Sequence, residues 1–124
     1  MERQLRLRED AAIRAARSRG RAVADGPFVI RYLQNVSNPP TNRYAVIAGR
    51  KSGGAVQRNR LKRVTREALR HLHPSLRAGF DVVIIIRGTV EELPGSREAE
   101  ERLARMFAKA GLGPAPAAAS AGVI

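Results

Sequence analysis

The spacing of apolar residues changes several times along the chain. From Ala55 to Leu72, AVQRNRLKRVTREALRHL, the apolar positions Leu61, Val64, Ala68 and Leu72 fall within an arc of about 80° on a helical wheel. This predicts an amphipathic helix, ended by Pro74. Phe28–Leu33, FVIRYL, and Tyr44–Ala48, YAVIA, read as strands. Gly79–Arg87, GFDVVIIIR, is apolar without alternation and predicts a strand buried on both faces at a sheet centre. Arg6–Arg19 is rich in Ala, Arg and Leu and predicts a helix with a thin apolar face of Leu7, Ala11, Ile13 and Ala15, ended at Gly20. In a last helix, Ser96 is the expected cap and Glu98 and Glu100 suit the N-terminal dipole. That helix places Ala99, Leu103, Met106, Phe107 and Ala110 on one side and stops at Gly111. Between the strands, NPPTN within Asn35–Arg43 is a loop, and GRKSGG, Gly49–Gly54, is a flexible basic lead-in to the long helix. The order α-β-β-α-β-α gives an α+β class or a layered sandwich. Residues 1–112 form the expected domain; 113–124, GPAPAAASAGVI, are of low complexity and expected to be disordered.

Composition narrows the function. A chain of 124 residues, 44% hydrophobic, supports one domain with a modest core. Its net charge is +12, from 23 Lys and Arg against 11 Asp and Glu, and such an excess destabilises a compact state unless an anion neutralises it. Nucleic acid is the expected partner, because phosphate binding releases condensed counterions. An anionic membrane surface fits less well, since basic membrane helices carry large apolar or aromatic faces and aromatics are only 4% here. The absence of cysteine rules out disulfides, thiolate zinc sites and cysteine nucleophiles. No signal peptide is visible in MERQLRLRED, and the longest apolar run, Val82–Ile86, is too short to span a bilayer, so a cytoplasmic protein is expected.

The polar side of the long helix holds Arg58, Lys62, Arg63, Arg66 and Arg70 across about 140° of arc, with Asn59 in its middle. Only Glu67 opposes these cations, whereas a merely solvated helix face mixes signs. Arginine outnumbers lysine, and its planar fork binds phosphate bidentately. No aromatic residue interleaves, so the helix is suited to reading a nucleic-acid backbone rather than to stacking on bases. Catalytic chemistry of the chain's own is not expected, and no metal site is assigned. Asp10, Asp25 and Asp81 are scattered, Glu91-Glu92 reads as a solvated acidic turn, and His71 and His73 at i and i+2 do not face each other on a helix. Ser37 and Ser96 have no activating partner.

The run Gly53-Gly54-Ala55-Val56-Gln57-Arg58-Asn59-Arg60-Leu61-Lys62-Arg63, followed by Arg66-Glu67, closely resembles the RNR signature of the bacterial ribonuclease P protein subunit. Around it lie a basic first helix ending near Gly20, a strand and loop at Phe28–Arg43, a basic turn at Arg50-Lys51, an Asp-led apolar strand at Asp81–Arg87 and a closing helix at Ser96–Leu112. The resemblance implies a small central sheet of about four strands packed with three helices, a ribosomal protein S5 domain 2-like sandwich with a left-handed βαβ crossover. It implies a subunit that binds a catalytic RNA, which itself cleaves the 5′ leader from precursor tRNA with magnesium held mainly by the RNA, one protein per RNA. Contact with the catalytic RNA would fall to Arg58, Asn59, Arg60, Lys62, Arg63, Arg66 and Arg70, with Arg50 and Lys51. A leader cleft between first helix and sheet would involve Phe28, Ile30, Tyr32, Ile47 and Gly49, with Ile13 and Arg17 where the family usually places aromatics. The competing readings are a structural ribosomal or other RNA-binding protein, disfavoured by the signature, and an autonomous metal-dependent nuclease, disfavoured by the missing carboxylate cluster.

Overall fold

The computed structural model describes residues 3–113, so the low-complexity segment lies outside them except for Gly113. Three α-helices, α1 (Asp10–Arg19), α2 (Ala55–Leu72) and α3 (Ser96–Lys109), pack on strands β1 (Arg21–Asp25), β2 (Phe28–Gln34), β3 (Arg43–Ala48) and β4 (Phe80–Ile86). The strand order is β1-β2-β4-β3. β2 is antiparallel to both β1 and β4, while β3 runs parallel to β4. Parallel neighbours need a crossover connection, and α2 supplies it. The continuous apolar run is the central strand, with Val82, Val83 and Ile84 fully buried between β2 and β3.

Alternation along each strand sorts side chains into two layers. Phe28, Ile30, Tyr32, Tyr44, Val82, Ile84 and Ile86 join Leu61, Ala68 and Leu69 of α2 and Leu103, Met106 and Phe107 of α3 in the main core. A thinner layer lies beneath α1, where Leu7, Ala16 and Val83 are buried and Ala12, Ile13, Leu33, Ala45, Ile47 and Ile85 are partly so. Gly20 permits the close approach of α1 to the sheet, because a Cβ there would collide with the carbonyl oxygens of Ala16 and Tyr32.

Three sequence expectations are corrected. Arg21–Asp25, RAVAD, is a fourth strand, paired with β2 through a two-residue turn in which Gly26 has φ of 56°. The first helix begins at Asp10, not Arg6: Arg3–Leu5 is a short 3-10 turn, Arg6 bridges to Tyr44 of β3, and burial alternates through Leu5-Arg6-Leu7-Arg8. There the Leu7 amide donates to Tyr44 O at 2.7 Å, and Ala11 is exposed instead of facing the sheet. Ser96 is the first helical residue of α3 and Gly95 occupies the cap position without a side-chain bond.

Polar residues in the interior are tied together. The Asp81 carboxylate, 8% exposed, accepts two bonds from Arg43 at 3.2 Å each and one from Asn35 Nδ2 at 3.0 Å. Asn35 also donates to Thr41 O and accepts from the Ser37 amide, which folds the NPPTN loop on its own side chains. Asn42 Nδ2 donates to Tyr44 Oη at 3.3 Å, and the same hydroxyl is hydrogen-bonded to His73 Nδ1 at 2.8 Å.

Burial pushes the Tyr44 phenol up to about 12 from an ordinary value of 10, against a smaller opposite effect of Asn42. Its stabilising contribution is complete below pH 10, where folded and unfolded states are both protonated. Above pH 10 only the unfolded state ionises, so stability falls until the folded phenol titrates near 12. Two decades at 1.4 kcal/mol each predict a loss of about 3 kcal/mol across this window. Urea titrations at pH 9, 10, 11 and 12 should show it, and Tyr44→Phe should remove that component of the slope.

Candidate nucleic-acid interface

The arginine helix begins where GRKSGG changes direction. Arg50–Ser52 forms a short 3-10 turn that buries Ser52, whose hydroxyl donates to Ile86 O at 3.3 Å. Gly53 has φ of 120°, which disfavours any side chain, and a Cβ there would press on Gln57. Arg50 and Lys51 stay exposed beside the helix start.

The packed face of α2 is turned from the expected arc: Leu61 and Ala68 are wholly buried as expected, but so is Leu69, which falls between Arg58 and Lys62 on the wheel, while Val64 and Leu72 are only half-buried. Thr65, also buried, turns its hydroxyl back to Leu61 O at 2.8 Å. On the other side Asn59, Arg60, Arg63 and Arg70 are exposed and Lys62 and Arg66 half-buried. Arg58 departs from the wheel: it is half-buried and its Nε is out of solvent without a partner. Arg70 is paired with Glu67 at 2.6 Å and holds that carboxyl below its ordinary value. Arg60 makes one long bond to Pro94 O at 3.4 Å. Among the described residues, Arg58, Lys62, Arg63 and Arg66 form no ion pair. Most of the row is therefore open to an outside anion.

Arg6, Asn59, Lys62, Arg63 and Arg66 line one recess on this face, with Glu67 as the one acid among the described residues that line it. Burial, and then the charge of Arg6, hold the Arg66 guanidinium below its ordinary value. A bound phosphate would relieve that repulsion. Arg6 and Arg66 also line a second recess of about 280 Å³ between α1 and β3, with Leu7, Arg8, Ile13, Ala45 and Ile47. The groove beneath α1 and the arginine face of α2 thus meet at two shared cations.

Of the residues expected at the groove, Ile13 and Ile47 are brought together there. Phe28, Ile30 and Tyr32 are not: they point to the opposite side of the sheet, Phe28 and Ile30 wholly buried in the main core and Tyr32 at its margin. Strand parity is the reason, since Val29, Arg31 and Leu33 take the α1 side of β2. The single arginine in FVIRYL marks which set faces the more open layer. Arg17 lies on the exposed side of α1, and Gly49 is exposed beyond the end of β3. The residues missed were Arg6, Leu7, Arg8 and Ala45, and the alternating LRLR run was the signal for the first three.

The remaining candidates have local roles. His71 lies between Glu67 and Glu100, and the Glu92 carboxylate accepts the Thr89 amide within its turn. Among the described residues no three His, Cys, Asp or Glu side chains are grouped to hold a metal ion, and no helix is long and apolar enough to cross a membrane.

Residues 1–111 match the family model for ribonuclease P. The ribonuclease P protein component of Symbiobacterium thermophilum is 38% identical over 112 residues, which cover 90% of this chain and 96% of that protein. That of an Exiguobacterium species is 36% identical over 110 residues, covering 89% and 93%. Among solved structures, the RNase P protein of Thermotoga maritima has a TM-score of 0.69 at 30% identity, covering 79% of this chain and 90% of that one. The Staphylococcus aureus protein, at 24% identity, shares the fold with a TM-score of 0.73 over 87% and 96%. By sequence and by fold, the chain belongs to the ribonuclease P protein family.

Proposed function

We propose that the chain is the RNA-gripping subunit of a ribonuclease P in which the RNA performs the hydrolysis. The arginine face of α2, with Arg50 and Lys51, holds the catalytic RNA. The groove beneath α1 receives the single-stranded 5′ leader of precursor tRNA, between Ile13 and Ile47 and against Arg6, Arg8 and Arg66. The meeting of the two surfaces at Arg6 and Arg66 is the observation that carries this reading. One protein serves one RNA in the cytoplasm, and magnesium is held mainly by the RNA. The protein contributes positive charge: it lowers repulsion between leader, tRNA and catalytic RNA, and so raises affinity for substrate and for the metal ion.

Reconstitution tests this directly. The purified chain is mixed with ribonuclease P RNA from the same source at low magnesium, and leader release from a precursor tRNA is followed. Stimulation is expected only when protein and RNA are both present. Cleavage by the protein alone would make it an autonomous nuclease, and no effect would leave a structural RNA-binding role.

A further inference from the structure

A second cationic recess lies at the other end of the molecule. Strand register puts Arg21 opposite Tyr32 and Gln34 opposite Phe80, so these four side chains share the sheet face covered by α3. Because α3 stops at Lys109, that face opens beyond it into a recess of about 390 Å³. Arg19, Arg21 and Arg77 border it, Phe80 and Tyr32 form its wall, and no carboxylate among the described residues lines it. Arg77 is partly committed, donating to Gly111 O at 3.0 Å, whereas Arg19 and Arg21 are exposed and free of ion pairs among the described residues. The Phe80 ring is half-buried and held edge-on by Tyr32, with centroids 6.2 Å apart.

Cations flanking a fixed flat ring are what the α2 face lacks, and together they suit an unpaired nucleotide. A lipid surface would ask for a protruding apolar edge rather than a recessed ring. β1 and β3 form opposite edges of the sheet, so this recess is separate from the groove against β3. We propose that it binds a second single-stranded RNA segment, one base against Phe80 and the adjoining phosphates on Arg19 and Arg21. This rests on the preceding section only in taking RNA as the partner.

The test is an NMR titration of the whole chain with pentauridylate. Amides of Gln34, Phe80 and Leu112 should shift saturably, as a set distinct from the amides of α2. Arg19→Ala/Arg21→Ala should abolish the first set and spare the second. Phe80→Leu, which keeps an apolar side chain, should weaken the first set about five- to tenfold, a modest stacking loss. Movement of the α2 set alone overturns the proposal and leaves the main RNA interface standing; movement of neither overturns both. Equal shifts with inorganic phosphate, or an unchanged Phe80→Leu titration, also overturn it.

Discussion

Replacing Arg60 and Arg63 with alanine should weaken binding to the ribonuclease P RNA about a hundredfold near 0.1 M salt. Each charge-assisted contact with phosphate contributes about 1.5–3 kcal/mol, and two losses at the lower end of that range, as suits exposed side chains, give a factor of this order. Each lost phosphate contact should also reduce the slope of log affinity against log salt by about 0.7–0.9, so the double variant should be shallower by about 1.5. These two positions are the sharp choice, because both side chains are exposed and neither is paired with a protein acid. Arg58 would confuse the result: its half-buried guanidinium belongs partly to the fold. Thermal unfolding of the free double variant should match the parent or improve slightly, since like charges are removed. Filter binding between 50 and 400 mM salt decides the matter. An unchanged slope would remove α2 from the RNA interface.

Leu61→Ala attacks the same helix from beneath and should cost about 3 kcal/mol, within the range for large-to-small changes in a packed core. Leu61 has no exposed surface and joins α2 to the main core. For a domain whose total stability is about 5–15 kcal/mol, this loss is severe, and the net charge leaves little in reserve. The arginines remain, so RNA should still select the folded form. At about a hundredfold excess over its dissociation constant, RNA would return about 2.7 kcal/mol by mass action. RNA in that excess should therefore raise the variant's urea midpoint most of the way back to the parent's, while the affinity of its folded form stays close to the parent's. A midpoint within a few tenths of a molar of the parent would mean that α2 is held by something other than this packing.

Legibility in the sequence followed the strength of each local signal. The wheel of α2 and the unbroken apolar run of β4 announced themselves because their burial is one-sided in the first and two-sided in the second. β1 did not. Its alanines are exposed, its apolar content is slight, and it is a strand because β2 pairs with it. The Asp25-Gly26 pair before FVIRYL was the available hairpin cue. The groove was half legible for a different reason. Alternation fixes which residues of β2 share a face, but an apolar run does not say which face is sealed; only the burial of Phe28, Ile30 and Tyr32 beneath α2 and α3 settles that. Helix propensity likewise hid the non-helical Arg6–Arg8 stretch, where pairing with β3 outweighs the local preference.

The crossover has a mechanical consequence. α2 is not an appendage: both of its ends run into strands that are hydrogen-bonded to each other, one of them at the middle of the sheet. A tug on its guanidinium groups is borne by the β3–β4 seam as a whole. When a bound RNA rearranges, its phosphates let go one at a time, each for a small fraction of what tearing that seam would require. The grip therefore slips before the hand breaks.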